Sequence, residues 1–245
     1  MSKLGSVAQV MEMDPLVQEQ YPNHNLGEPV YMADQRIFRY AHDGGSGLAA
    51  GKLAVAATPN TALATMAVSA VAAVGATSIS FTAGATTATN GAYDDGYAII
   101  SYGVGLGQTY KIKHCPAITS GGAITLTLYD GLVVALDTTS KLDIVQNTYS
   151  AVQNTTTITN APAGVPQRAV TASYYAWLQT RGVCSLLSAG TIAAGTSGIM
   201  VATSGAITVP SGTFGNDMLA GYGTVGSAVY AAASGYYHPV FLRID

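Results

Sequence analysis

Gly121-Gly122-Ala123-Ile124-Thr125-Leu126-Thr127-Leu128-Tyr129-Asp130-Gly131 decides the fold class. Ile124, Leu126 and Leu128 fall on one side and Thr125 and Thr127 on the other, the period-two alternation of a half-buried strand. The glycine pair before it and the Asp-Gly after it are turn signals, so Leu132-Val133-Val134-Ala135-Leu136 is predicted to continue as the next strand.

The same grammar extends outward in both directions. Tyr97–Tyr102 and Gln108–His114 read as strands joined by Gly103-Val104-Gly105-Leu106-Gly107, and Leu142–Val145 closes the group. Upstream, Thr77-Ser78-Ile79-Ser80-Phe81-Thr82 alternates with period two. Ala67–Ala76 is alanine-rich enough to tempt a helix, but Ser69 and Gly75 interrupt its Val68/Val71/Val74 repeat, and it is assigned as β. Val30–Tyr40 reads as two short strands about a turn at Ala33-Asp34-Gln35. His42–Gly47 is a loop, and Ala50-Gly51 turns into a strand ending near Ala56. Downstream, Asn154–Pro166 is rich in threonine and proline and reads as a linker or long surface loop. Tyr174–Thr180, Val183–Leu187, Ile199–Ala202, Ala206–Val209 and Val240–Ile244 complete the strands. Glycines at 190, 195, 198, 205 and 212 are too frequent for helix. Strands at about ten-residue spacing point to a compact barrel or sandwich.

The fold is therefore read as mainly β: a β-barrel or sandwich base domain with an inserted second small β domain and an extended N-terminal arm. The arm is residues 1–25, set apart by its prolines and by holding two of the three glutamates. The base takes 26–64 plus 150–245, and the insert takes 65–149.

Charge narrows the function. Only 9% of the 245 residues are ionic, with a net charge of −3. A freely soluble monomer covers roughly 25–35% of its surface with such residues. Here Thr, Ser, Asn, Gly, Ala and Tyr must serve instead, side chains that lose little entropy on docking. Such a surface suits repeated packing in an assembly, although some secreted enzymes share it. Nothing is basic enough for a nucleic-acid footprint. No run approaches the roughly 20 apolar residues of a membrane span, and no secretory leader is read at the start.

The chemistry motifs are thin. Gly103-x-Gly-x-Gly107 lacks the helix and Lys-Ser/Thr pair of a phosphate cradle and reads as a bend. His24, His42, His114 and His238 are solitary, so no metal or cofactor is predicted. A two-carboxylate hydrolase would have to use Asp94, Asp95, Asp130, Asp137 or Asp143, most of which adjoin turns. Cys115 and Cys184 read as buried thiols, with a single bridge between them the alternative. Fifteen tyrosines against four phenylalanines and one tryptophan suit either an interface or a glycan platform.

Met32–Gly45, with Leu48–Leu53, resembles the opening of the head decoration (capsid cement) proteins of tailed bacteriophages. Tyr174–Gly182 and the ending Pro239–Asp245 resemble them too, and Gly105–Ile112 is similar to an extra β module that some of them carry. The resemblance implies a non-enzymatic virion protein, made in the host cytoplasm, that binds the outer face of the capsid. Its implied partners are the major capsid protein and other copies of itself, as trimers or clusters, with no nucleic acid and no membrane. The base would dock, the insert would project or bridge, and the arm would lie along a neighbouring subunit. Tyr21, Val30, Tyr31, Arg36 and Phe38 are the expected contacts, because they combine the arm with the most aromatic- and arginine-rich strand. The competing reading is a tail-fibre or adhesin-like glycan-binding module. A secreted lectin would need an export route that the sequence does not display.

Overall fold

The computed structural model describes residues 14–154, 160–190, 195, 197–200, 205–209, 219–223 and 236–245. Nearly all regular structure among them is β. The one helical element is a 3-10 turn at Thr61–Leu63, and no helix is long and apolar enough to cross a membrane. The chain divides into two compact units, one formed by Met1–Ala56 with Ala151–Asp245 and the other by Ala57–Ser150.

In the unit spanning 57–150, six strands form a nearly closed, barrel-like sheet. These are β5 (Met66–Ala67), β6 (Ser78–Thr82), β7 (Tyr97–Tyr102), β8 (Thr109–His114), β9 (Ala123–Leu128) and β10 (Lys141–Val145), in the order β5-β10-β7-β8-β9-β6. The ends meet through a bridge between Val68 and Phe81, supported by the Ser69 amide donating to the Ser80 carbonyl at 2.9 Å. Each strand turns alternate side chains inward, and Ile79, Phe81, Ile100, Ile112, Leu126 and Leu142 are wholly buried in one core. Leu63 joins that core, which is why the turn at 61–63 belongs to this unit.

The Ala67–Ala76 stretch is indeed not helical. Val68 is buried while Val71 and Val74 are exposed, whereas one helix face would carry all three. The strand expected at Leu132–Leu136 does not form. Leu132 and Leu136 both face the core, but Val133 and Val134 between them turn outward, so the segment bends twice. It is held by isolated bonds instead: the Gly75 amide donates to Leu132 and the Leu136 amide to Ala72. Between β7 and β8, Gly103, Gly105 and Gly107 all have positive φ. A Cβ on Gly103 would stand 2.5 Å from the Thr139 carbonyl oxygen, so close backbone approach accounts for that glycine.

Antiparallel pairing fixes which loops share an end. Lys141 pairs with both Ala67 and Tyr102, Ser78 with Thr127, and Ile112 with Leu128. The loops 68–77, 103–108 and 129–140 therefore cluster at one end of the barrel. The chain enters and leaves this unit at the opposite end.

The other unit is organised by β12 (Tyr175–Ser188), a single strand where the sequence reads as two. Its first half pairs with β3 (Ile37–His42), its second with β16 (Tyr236–Arg243). Gly182 (φ +91) lets the strand run on: a Cβ there would lie 2.9 Å from Arg36 Cγ and 3.1 Å from its Cα. β11 (Pro162–Pro166) falls where a loop was expected. Its prolines stand at the strand's ends, where the missing amides cost least. The rest of that expected linker, residues 155–159, lies outside the described residues. β11 also pairs with β4 (Ala54–Val55), and β2 (Pro29–Tyr31) with β3 across the turn expected at 33–35. β13 (Ser197–Met200), β14 (Ile207–Thr208) and β15 (Leu219–Gly223) complete a ten-stranded sheet.

The arm expected at 1–25 is described from Asp14 onward, and there it lies on its own chain. β1 (Gln18–Glu19) pairs with Tyr175 and Ala176 of β12. Arg168 donates to the Leu16 carbonyl at 2.9 Å, and the Thr171 amide to Gln18 Oε1 at 2.8 Å.

Candidate interaction surfaces

Two surfaces carry the unusual residues, one on each unit. On the base, Phe38, Tyr40 and Trp177 are buried side by side, with Leu26, Val30, Met32 and Tyr175 packed on them. Tyr40 stacks on Tyr175 at 5.6 Å between centroids, and His24 stands edge-on to Tyr40 at 5.2 Å and to Trp177 at 4.9 Å. The docked N-terminal segment closes this cluster. Glu19 accepts hydrogen bonds from the Tyr40 hydroxyl and, at 2.9 Å, from Asn23 Nδ2, and His24 Nδ1 lies 3.4 Å from Glu28.

The expected contacts separate here. Tyr21 is 73% exposed and Tyr31 54%, so both rings stand free. Val30 is half-buried against the cluster. Arg36 bonds Asp34 at 2.6 Å and lies 5.5 Å from the Phe38 ring centroid, which makes it a lid on the strand turn. Phe38 is a correction: it is 0% exposed, so its ring supports the base and presents no surface. Alternation is the reason, since Phe38 and Tyr40 share the inward face of β3 and Ile37 and Arg39 lie on the other. Tyr236 and Tyr237 are both exposed.

Burial first, and then the bond to Glu19, raise the Tyr40 phenol well above its ordinary pKa. Its neutral form is thus favoured by folding. The stabilisation is complete below the unfolded phenol pKa of about 10 and is lost as the pH climbs through the higher folded value. We expect tyrosinate absorbance to appear in two stages during alkaline titration. Tyr40 supplies the later stage and ionises only as Trp177 fluorescence reports unfolding of the base. Ionisation of every tyrosine before any fluorescence change would contradict this.

The second surface is the barrel end formed by loops 68–77, 103–108 and 129–140. Six aliphatic side chains stand outward there: Val71, Val74, Val104, Leu106, Val133 and Val134, with Val71 and Val133 more than 70% exposed. Their backbone bonds are made internally; the Leu106 amide donates to Gly103, and the Leu132 amide to Ala76. The first two loops contain no ionic residue, and the third contributes Asp130 and Asp137. Bonds from the Thr139 hydroxyl and amide hold the Asp137 carboxyl below its usual range. Just beneath this end Tyr102 is exposed, with Lys141 Nζ 5.7 Å from its ring centroid. Monomeric proteins seldom leave such an aliphatic patch open without a use for it.

Sequence reading missed this end. Its signal was the outward half of each failed pattern: the valines of 67–76 that fit neither helix nor strand, and the Val133-Val134 pair inside an expected strand.

Four of the five aspartates weighed for hydrolysis, Asp94, Asp95, Asp137 and Asp143, are engaged locally. Asp94 accepts from the Cys115 amide at 2.7 Å, and Asp143 from Ser101 at 3.0 Å. Cys115 and Cys184 are free and buried, each thiol pushed up to about 11 mainly by burial. Among the described residues no three of His, Cys, Asp and Glu are grouped as metal ligands would be. No family model, curated protein or solved structure matches the chain.

Proposed function

We propose that this chain is a structural virion protein that binds the outer face of a tailed-phage shell and stiffens it by bridging shell units. The aliphatic barrel end carries the reading. Three loops present valine and leucine to solvent on a chain that is only 9% ionic, a surface that gains by being covered. Likeness to head decoration proteins at Met32–Gly45, Leu48–Leu53, Tyr174–Gly182 and Pro239–Asp245 supports the same reading. On it, the shell's major capsid protein and other copies of this chain are the partners, and the role involves no chemistry. Each copy needs roughly 1,000 Å² or more of contact, and the repeating lattice multiplies modest affinities.

Cryo-electron microscopy of particles carrying the chain tests this directly. Hundreds of copies spread over the head are expected. A few copies at one vertex would instead place the chain on the tail and favour the adhesin-like reading. In the same assay, Val71→Asp/Leu106→Asp/Val133→Asp should cut shell occupancy at least 100-fold while leaving the unfolding transitions in place. Undiminished occupancy would remove the barrel end from the contact.

A further inference from the structure

The outward face of β7 and β8, with the first residue after β9, carries a polar-aromatic cluster distinct from the core and from the six aliphatic side chains of the barrel end. Tyr97 pairs with Lys111 across β7–β8, and the Tyr129 amide donates to the Lys111 carbonyl at 3.1 Å. The three side chains thus form a row across neighbouring strands, with Tyr97 44% and Tyr129 50% exposed. Strands lie about 4.8 Å apart, so the two tyrosines are anchored ~10 Å from each other, the span of two linked sugar rings. Asp95 sits at the row's edge. Its Oδ1 accepts the Tyr129 hydroxyl at 2.9 Å and lies 3.9 Å from Lys111 Nζ.

We propose that this row is a binding platform for a neutral oligosaccharide. Three features select that ligand. Phenol rings offer an apolar face for sugar C–H groups together with a polar edge that tolerates water. Asp95 is anchored through Oδ1, so Oδ2 remains an acceptor, while Lys111 has donors to spare. Adjacent sugar hydroxyls, each both donor and acceptor, need such a pair. Finally, Asp94 and Asp95 balance Lys111 and Lys113 in formal charge, so the face has no bias toward phosphate or a polyanion. Stability does not account for the arrangement, because exposed ion pairs of this kind contribute only about 0–1 kcal/mol. Its rings and cation stand at the outer faces of β7 and β8 and at the residue just after β9, and none of the six aliphatic side chains of the barrel end belongs to it, so sugar binding and shell binding are tested by different residues.

The test is a titration of the full-length, isotope-labelled chain with maltose, cellobiose, lactose and chitobiose, followed by amide chemical shifts. At least one disaccharide should shift Tyr97, Lys111 and Tyr129 together, with millimolar affinity. Tyr97→Ala, Tyr129→Ala and Lys111→Gln should each weaken that binding at least 10-fold with an unchanged melting midpoint. The absence of shifts with all four sugars at tens of millimolar overturns the proposal. So do shifts confined to other surfaces, or binding indifferent to all three variants.

Discussion

Phe81→Ala is expected to cost the barrel unit about 3–5 kcal/mol, the usual penalty for emptying a buried phenylalanine site. Phe81 is the largest wholly buried side chain of that unit, and its backbone also makes the bridge that closes the sheet. A cavity there removes packing where β6 meets both β9 and Val68. In a unit of this size each kilocalorie is worth roughly 4–8 °C, so the calorimetric transition of the barrel should fall by more than about 12 °C. The chain's one tryptophan, Trp177, lies in the other unit, so its fluorescence reports the base alone. The fluorescence midpoint should stay where it was. An equal fall in both signals would mean that the units melt as one and would refute the expectation.

Phe38→Ala should produce the mirror image. Its ring packs with Tyr40 and Trp177 in the base, so a loss of about 3–5 kcal/mol is expected again, now in the tryptophan signal with a red-shifted emission. Tyr21→Ala, on a ring that stands in solvent, should change stability by no more than about 0.5 kcal/mol. The pair separates support from contact. If Phe38→Ala kept full stability but abolished shell binding, Phe38 would return to the interface and the packing argument would fail.

Strands with strict alternation were legible from residues alone. Ser78–Thr82 and Ala123–Leu128 bury every second side chain, as their spelling requires. Where the pattern broke, longer-range geometry decided. Leu132 and Leu136 reach the core through two bends that no local signal encodes, and Pro162–Pro166 became a strand because β4 and β12 offered partners on both sides. Phe38 was misjudged for a related reason. An aromatic beside arginines looks like surface until the facing strand is known, and that strand lies about 140 residues downstream. The candidate surfaces were less legible still. The aliphatic end exists only because antiparallel registers gather three distant loops, and the tyrosine row only because β8 separates Tyr97 from Tyr129.

Val55 and Gln153 exchange both of their backbone hydrogen bonds, so the two connections to the barrel leave the base side by side. A module attached through one such paired stalk behaves as a cassette. Its removal, with a two-residue turn grafted between positions 55 and 153, would leave the host sheet threaded as before. The same doorway would admit a foreign domain whose own ends lie close together.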